Sequence, residues 1–378
     1  MVEEEKNTNW IYVSELLEEI FLRLPSKSIL KFKTVSKQWR SILESKIFVE
    51  RRMNIVKTRK IIAAYNCDCG DRPRIIRQAR LDEADDEEIV YIHFGDSQLW
   101  NVWDGRPLMT CDGLVCIVEP ESIIVLNPST GQLLRFPSAP DPSSRFINGN
   151  FFWGNWVMGF GRDKVTGSYK VAKMCFYPTE GGCDVLDVES GEWRNLRLYP
   201  YVVQVSKLSV CVSGSIYWLS TASYKIGRGY KILALDLHKQ EFHYISVPDK
   251  WVSRTTHIAN LTIFSMDAHQ EMWSKAYSIN LAALYGLKIE RSLCSMSFAP
   301  LAVSKQGNLF FYNDCKCLFL YYPETHEIRC LSSDASVISS YHENLIPLRS
   351  EFGHQPDPES NKIRTSSCRF LTKHPGQT

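Results

Sequence analysis

The sequence predicts an α+β multidomain protein in which a short helical module precedes a much larger all-β domain. Two observations support this division. Apolar residues recur at helical spacing between Ser14 and Met53. From about Leu108 onward, short runs of Val, Ile, Tyr, Phe and Trp alternate with Gly, Pro, Asn and Asp, a pattern typical of strands and turns. A chain of 378 residues has room for a small module and a large domain with its own core.

The helical module is predicted to contain three helices. Ser14 is the expected N-cap of the first helix, and Pro25 ends it. A second short helix is expected near Ser28 to Val35, and a third begins after Ser36. The apolar residues of the first helix lie three or four positions apart or side by side: Leu16, Leu17, Ile20, Phe21 and Leu24. Basic residues lie on the outer faces of the helices: Lys27, Lys31, Lys33, Lys37 and Arg40.

Three helices in roughly 40 residues are at the size where a chain usually needs a metal, disulfides or a partner to stay folded. The stretch contains no metal-ligand or paired-cysteine pattern. Its surplus Leu and Ile side chains are therefore expected to dock elsewhere. They dock either on the rest of the chain, as a helical cap, or on another protein.

The β domain contains a repeated strand–turn–strand pattern, preceded by a first strand expected at Lys60 to Tyr65. In the first copy, Gly131 is free to adopt the positive φ that the turn of such a hairpin favours. The copies cover Ile123 to Pro137, Val185 to Arg194, Ile232 to Phe242 and Leu318 to Ile328.

The spacing of these copies favours a β-propeller. They are about 60, 49 and 86 residues apart, and the last interval becomes two of about 43 if a further unit lies near Leu261 to Leu281. Periods of about 40 to 50 residues are typical of propeller blades. The aromatic content of 12% fits sheets stacked face to face. A β-sandwich or a run of unrelated hairpins is the alternative.

The order of residues from Leu16 to Leu43 resembles the F-box, the module that joins a substrate receptor to a Skp–cullin–F-box ubiquitin ligase. The match includes Arg23-Leu24-Pro25, Val35-Ser36-Lys37 and Trp39-Arg40. The resemblance implies that Phe32 and Trp39 belong to the core of the module. It implies an adaptor-binding surface formed by Leu16, Leu17, Ile20, Leu24, Pro25, Leu30 and Val35.

Further motifs occur in the order seen in plant F-box-associated domains. They are Cys111 to Cys116, Leu126 to Gly131, Gly159 to Gly161, Tyr169 to Val171, Gly214 to Leu219 and Leu233 to Leu237, with Tyr341 to Leu345 near the end of the domain. The resemblance covers about residues 10–348 and implies a kelch-like β-propeller receptor domain in a plant protein. The expected domains are a disordered tail at 1–9, an F-box at 10–54, the propeller domain at 55–348 and a second disordered tail at 349–378.

The sequence predicts no catalytic, metal or cofactor site, and the protein is not expected to be an enzyme. The cysteine pairs Cys67/Cys69 and Cys315/Cys317 lack the spacing of a zinc site and are expected to be structural thiols. The motif Gly159-Phe160-Gly161 is not followed by the rest of a dinucleotide fingerprint and is interpreted as a propeller turn. A propeller hydrolase or oxidase with a helical cap is an alternative that clustered carboxylates or metal ligands would favour.

Aromatic residues in a Gly/Asn-rich segment form a possible target-binding loop. Phe151, Trp153 and Trp156 are the candidates, because aromatic side chains are frequent in interface hot spots. Packing of these rings between blades, together with Phe146 and Phe152, is the alternative.

The resemblance therefore implies a substrate-recognition adaptor of a Skp–cullin–F-box ligase. It would bind a Skp-family adaptor, and through it a cullin, by the F-box, and an unknown target protein by the propeller. A formal charge of +2 does not favour nucleic acid or an anionic membrane as partner. The polar start of the chain favours the cytoplasm or nucleus. The F-box family usually opens with Leu-Pro, where this chain has Tyr12-Val13, so the alternative is a stand-alone binding protein that has lost ligase assembly.

Overall fold

A computed structural model gives the structure of part of the chain. The described ranges are 14–55, 59–66, 74–80, 88–94, 109–118, 122–138, 156–175, 182–197, 203, 209–221, 230–247, 260–267, 272–281, 298–304, 306–313, 317–332 and 337–348. The expected tails at 1–9 and 349–378 lie outside them. Two compact units are present: Met1–Arg59 with Met109–Asp249 and Tyr341–His354, and Lys60–Leu108 with Lys250–Ser340 and Gln355–Thr378.

The described residues of the N-terminal module form four helices: α1 (residues 14–22), α2 (Ser26–Phe32), α3 (Lys37–Leu43) and α4 (Lys46–Ile55). Ser36 caps α3, and its hydroxyl accepts a hydrogen bond of 3.0 Å from the backbone N–H of Trp39. Two expectations were wrong. Ser14 is already helical and is not the N-cap of α1. Pro25, with φ of −60°, is itself the N-cap of α2, so this helix begins and ends earlier than expected.

The remaining described elements are strands. The first eleven are β1 (Arg59–Asn66), β2 (Arg74–Arg80), β3 (Glu88–Phe94), β4 (Met109–Cys111), β5 (Leu114–Val118), β6 (Ser122–Asn127), β7 (Gln132–Pro137), β8 (Trp156–Arg162), β9 (Tyr169–Cys175), β10 (Gly182–Asp187) and β11 (Trp193–Arg197). The next eleven are β12 (Val210–Val212), β13 (Ser215–Thr221), β14 (Tyr230–Asp236), β15 (Glu241–Ser246), β16 (Asn260–Asp267), β17 (Met272–Asn280), β18 (Phe298–Val303), β19 (Leu309–Asn313), β20 (Leu318–Tyr322), β21 (Glu327–Ser332) and β22 (Val337–His342).

Successive strands assemble into separate sheets, as the sequence predicts. In the first unit, β4 to β7, β8 to β11 and β12 to β15 each form a four-stranded antiparallel sheet in chain order. In the second unit, β18 to β21 do the same, β16 pairs with β17, and a mixed sheet has the order β2-β3-β1-β22. The four expected hairpins and the further unit near 261–281 are confirmed. The fold class, a helical module followed by an all-β, kelch-like propeller domain, is confirmed as well.

One turn geometry recurs in three sheets of the first unit and explains the hairpin repeat. At its first position, the side-chain oxygen of Asn127, Asp187 or Asp236 accepts hydrogen bonds from the backbone N–H groups two and three residues later. At its fifth position φ is positive, at 76° for Gly131 and 59° for Gln240. A short acceptor side chain followed by a left-handed residue is the chemistry that such turns require. An Asn or Asp followed four residues later by a residue that tolerates positive φ therefore encodes these turns in the sequence.

Gly159 and Gly161 lie inside β8, so the interpretation of Gly159-Phe160-Gly161 as a turn was wrong. Their role is close packing between neighbouring sheets. A Cβ added to Gly159 would lie 2.6 Å from Cγ2 of Ile216 and would also meet the ring of Trp218. The indole N–H of Trp218 donates a 3.0 Å hydrogen bond to the carbonyl of Met158. Glycine in this strand therefore makes room for a tryptophan from the next sheet.

A buried ion pair stabilises the same pair of sheets. The Lys170 ammonium lies 2.9 Å from a carboxylate oxygen of Asp163 and donates a 2.8 Å hydrogen bond to the carbonyl of Leu237. Burial opposes ionisation of Asp163, but hydrogen bonds from Lys170 and from the backbone N–H groups of Val165 and Thr166 lower the pKa of its carboxyl well below the usual value. The charged form of Asp163 is therefore the one that the folded chain stabilises.

We expect Asp163→Asn to destabilise the protein near neutral pH by about 3–5 kcal/mol, because it leaves the Lys170 charge buried without its partner. Asp236→Asn is the matched control, since it keeps the turn acceptor and removes no buried ion pair. Because the pKa of Asp163 is lowered on folding, its contribution is complete above the ordinary value of 3.8 and is lost as pH falls below that value. Thermal midpoints measured from pH 3 to pH 7 should show the gap between wild type and Asp163→Asn narrowing only at the acid end. A gap that is independent of pH would contradict this account.

A pair of glycine variants separates backbone strain from crowding. Gly191 and Gly113 both have positive φ, at 72° and 83°. A Cβ on Gly191 would lie 3.6 Å from the ring of Phe136, whereas a Cβ on Gly113 would lie 2.8 Å from Cβ of Asn344 and also clash with the carbonyl of His342. We expect Gly191→Ala to cost about 1–2 kcal/mol from backbone strain alone. Gly113→Ala should lower the thermal midpoint much further, and equal effects of the two variants would refute this explanation.

Candidate functional site

The core of the helical module is closed by a residue from the far end of the chain. The buried members of this core are Phe21, Leu22, Ile29, Leu43, Phe48 and Val49 from the helices, together with Leu345. Leu345 is 2% exposed, and Ile346 packs against the same cluster. The helices thus bury part of their surplus apolar surface on the segment 341–348, which is one of the two outcomes expected from the sequence.

Three aromatic rings pack together within this core. The ring centroids of Phe21 and Trp39 are 4.9 Å apart with an edge-on geometry, and those of Phe32 and Trp39 are 5.4 Å apart. Phe32 and Trp39 are themselves half-buried. Edge-to-face contacts of this kind favour one relative placement of the rings. Trp39 on α3 therefore contacts both α1 and α2.

A buried polar network connects the helices to the same C-terminal segment. Arg52 on α4 is 6% exposed, and its guanidinium donates hydrogen bonds of 3.0 Å to the carbonyl of Leu22 and 3.2 Å to the hydroxyl of Ser26. The Ser26 hydroxyl in turn donates to the carboxylate of Glu343. Burial lowers the pKa of Arg52, while the nearby charge of Glu343 acts in the opposite direction. The network fixes the end of α1 and the start of α2 against residues 341–348.

The segment 341–348 also contacts the sheet formed by β4 to β7. The Asn344 side-chain amide donates to the carbonyl of Asp112, and the Asn344 backbone N–H donates a 2.9 Å hydrogen bond to the hydroxyl of Ser129. The Asn127 amide donates a 2.9 Å hydrogen bond to the carbonyl of Ile346. Leu348 belongs to the buried core shared by the sheet of β4 to β7 and the sheet of β8 to β11. One short segment therefore contacts the helical core and the sheet core.

Ion pairs fix α4 on two sides. Arg51 pairs with Glu18 at 2.6 Å and with Glu19, both on α1. On the other side, Arg162 from β8 donates a 3.1 Å hydrogen bond to Glu50. The α4 helix is thus packed between α1 and the second sheet of the first unit.

The helices still leave apolar side chains in solvent. Leu16 and Ile20 are 63% and 47% exposed, and their four-residue spacing puts them on one face of α1. Val35, between α2 and α3, is 59% exposed. We call these three residues the exposed apolar face. Pro25 is exposed too, whereas Leu17, Leu24 and Leu30 are half-buried against the helical core. The proposed adaptor-binding residues therefore divide into a solvent-facing group and a supporting group.

The candidate target-binding residues fall largely outside the described part of the chain. The aromatic residues Phe151, Trp153, Phe146 and Phe152 lie outside the described ranges. The cysteines Cys67, Cys69 and Cys315 also lie outside them. Trp156 is the first residue of β8 and pairs with Cys175, so it belongs to a strand and not to a loop. The role of Leu345 and Glu343 was missed by sequence reasoning. Their position in a motif near the end of the domain was visible, but their distant partners were not.

Within the described ranges, no group of three or more His, Cys, Asp or Glu side chains is arranged to hold a metal ion. The described helices include none that is long and apolar enough to cross a membrane. What the module offers chemically is an exposed apolar surface, on helices whose positions are fixed by the contacts above.

Two family models match the chain, in the order in which its two parts occur. The model of the F-box domain matches residues 13–51, and the model of the F-box associated beta propeller domain matches residues 95–269. An F-box/kelch-repeat protein of Arabidopsis thaliana is 49% identical, over 98% of this chain and 93% of its own length. An F-box/LRR-repeat protein of the same plant is 47% identical, over 98% of this chain and 92% of its own length.

The chain belongs to the plant F-box protein family. Among solved structures, the extracellular domain of a bacterial one-component system from B. thetaiotaomicron gives a TM-score of 0.32 at 11% identity, over 58% of this chain and 27% of that chain. The assignment therefore depends on the sequence relatives and the family models. At the level of the family, this F-box protein has the architecture of a non-catalytic substrate adaptor of Skp–cullin–F-box ubiquitin ligases. The residue-level assignment of its surfaces and the domain boundaries at 9, 54 and 348 stay predictions.

If Leu345 completes the F-box core, Leu345→Ala should cost about 2–5 kcal/mol, because it opens a cavity among fully buried side chains. Hydrogen exchange should then accelerate in the amides of α1, α2 and α4 and in residues 341–348. Leu16→Ala is the matched control, since it removes the same atoms from a solvent-exposed position and should change stability by less than about 0.5 kcal/mol. Unchanged exchange in the helices of the Leu345→Ala protein would show that the segment does not support them.

Proposed function

We propose that this F-box protein binds a Skp-family adaptor through its exposed apolar face. The observation that carries the proposal is the exposure of Leu16 and Ile20 on α1, and of Val35 between α2 and α3, in a module that already has a complete core. The F-box resemblance independently names these three positions. Burying such side chains on a partner contributes roughly 25 cal/mol for each Å² of apolar surface removed from water. Pro25 and the half-buried Leu17, Leu24 and Leu30 support or extend the same surface.

The propeller domain is proposed to hold a target protein. The adaptor would connect the chain to a cullin and its ubiquitin-loaded enzyme, so the rate of ubiquitin transfer would rise because the target is held near that enzyme. On this proposal the chain contributes binding and positioning, and the partner supplies the chemistry. The cytoplasm or nucleus is proposed as the site of this work.

A quantitative binding assay tests the adaptor proposal. The full chain is co-expressed with a plant Skp-family protein, and the dissociation constant is measured for wild type, Leu16→Ala, Ile20→Ala and Val35→Ala. A residue at the centre of an interface costs about 1–2 kcal/mol or more when truncated, so we expect at least a tenfold loss of affinity for one or more single variants. The triple variant should not bind at micromolar concentration.

Two controls make the assay specific. Ile55 is 58% exposed, nearly the same as Val35, but is not among the proposed adaptor-binding residues, so Ile55→Ala should bind as wild type does. Leu345→Ala distinguishes loss of fold from loss of contact, because it should lower stability while leaving the exposed apolar face chemically intact. If the wild-type chain is folded and binds no adaptor tested, the stand-alone binding protein becomes the better account, with Tyr12-Val13 in place of Leu-Pro as its cause.

A further inference from the structure

Two cysteines from different sheets line the same open cleft in the first unit. Cys111 is the last residue of β4, and Cys211 lies in the middle of β12. The cleft has a volume of about 290 Å³, and both cysteines contribute to its wall. Its polar wall comes from α4 and from the turns that follow β4, β8 and β12, namely Lys46, Glu50, Asp112, Arg162, Lys164 and Ser213.

The backbone brings the two sulfur atoms together. The Cys111 and Cys211 thiols lie within hydrogen-bonding reach of each other and of the backbone N–H of Arg162, the last residue of β8. Gly161 leaves the space that the Cys211 side chain occupies, because a Cβ at position 161 would lie only 2.7 Å from Sγ of Cys211. Tight two-residue turns with positive φ follow both strands, at Asp112-Gly113 and Ser213-Gly214. The positions of the two thiols are therefore fixed by β4, β12 and the tight turns that follow them.

The two thiols differ in ways that suit different roles. The contact with Cys111 lowers the pKa of the half-buried Cys211 thiol, burial acts in the opposite direction, and hydrogen bonds from the backbone of Arg162 and Gly214 lower it further. The contact with Cys211, and then burial, raise the pKa of Cys111. A thiol with a lowered pKa beside a cleft is the one that reacts with an oxidant, and its neighbour is placed to resolve the product. Both cysteines are free thiols in this structure.

We propose that Cys111 and Cys211 form a reversible redox site, in which hydrogen peroxide converts the pair to a disulfide. The Cys211 thiolate attacks one peroxide oxygen, the O–O bond breaks, and Cys211 becomes a sulfenic acid while hydroxide leaves and is protonated to water. Cys111 sulfur then attacks the sulfenic sulfur, the S–O bond breaks, and the S–S bond forms as a second water leaves. In total two thiols lose two electrons and two protons to one peroxide, and a dithiol reductant reverses the change.

Other uses of the cleft are less well supported. The described side chains do not offer a third metal-ligating group in a suitable arrangement, so a thiolate metal site is not favoured. The guanidinium of Arg162 already contacts Glu50 and the carbonyl of Gly167, which argues against a dedicated anion site. The redox site borders α4 and is separate from the exposed apolar face, so it goes beyond the proposed function and does not depend on it.

The test is a peroxide titration of the purified full chain. After the peroxide is removed with catalase, free thiols are alkylated in denaturant and peptides are analysed by mass spectrometry without reduction. We expect Cys111 and Cys211 to lose alkylation in parallel, a linked peptide to appear that contains both, and dithiothreitol to restore both thiols. Cys116, which is fully buried one strand away, should stay alkylated, and the exposed Cys330 reports adventitious oxidation. Full alkylation of Cys111 and Cys211 at peroxide levels that oxidise Cys330 would overturn the proposal.

Single variants show which cysteine reacts with peroxide and which one resolves the sulfenic acid. In Cys111→Ser, Cys211 has no resolving thiol and should accumulate a sulfenic acid that dimedone traps, at least fivefold more than Cys111 does in Cys211→Ser. Equal trapping in the two variants would overturn the assignment. Circular dichroism and thermal midpoints show whether each variant is folded, and the linked peptide of the wild-type chain decides the existence of the site even if one variant does not fold.

Discussion

The F-box depends on a contact with a segment that is distant in sequence. Helices as short as α1 to α4 cannot bury enough surface on one another to be stable alone. Leu345 and Ile346 complete their core, and the chain from Arg52 through Ser26 to Glu343 satisfies polar groups at the same junction. Asn344 and Leu348 also contact the sheets of β4 to β7 and β8 to β11. The helices and these two sheets therefore share one support. The stability of the F-box is therefore tied to correct folding of the β domain.

This support explains how α1 can leave apolar side chains in water. The helix has three faces with different environments: Phe21 and Leu22 are buried, Glu18 and Glu19 pair with Arg51, and Leu16 and Ile20 are exposed. A helix held on two faces does not need to bury the third. The unburied face is then available to a partner at little cost in conformational entropy, since the helix is already ordered.

Close packing between sheets imposes a second constraint. Gly159 and Gly161 in β8 admit Trp218, Ile216 and Cys211 from the next sheet, and the buried Asp163–Lys170 pair reaches Leu237 in that same sheet. These contacts lie within a few residues of the thiol pair and of Arg162, which also binds α4 through Glu50. The cleft and its cysteines are thus a consequence of the same close approach that stabilises the sheets.

The sequence alone determined the helical module, the strands and most hairpins, because local periodicity and turn chemistry encode them. The polar residue at the start of each turn, such as Asn127, and the left-handed residue at its end, such as Gly131, act over five residues and need no distant partner. It also singled out Leu16, Ile20 and Val35 through the order of F-box residues. Only the tertiary structure decided what covers the rest of α1, why Gly159 lies in a strand, and that Cys111 meets Cys211. Each of these depends on contacts between residues that are distant in the chain, such as Glu18 and Arg51, which are 33 positions apart, and such contacts leave no periodic trace in the sequence.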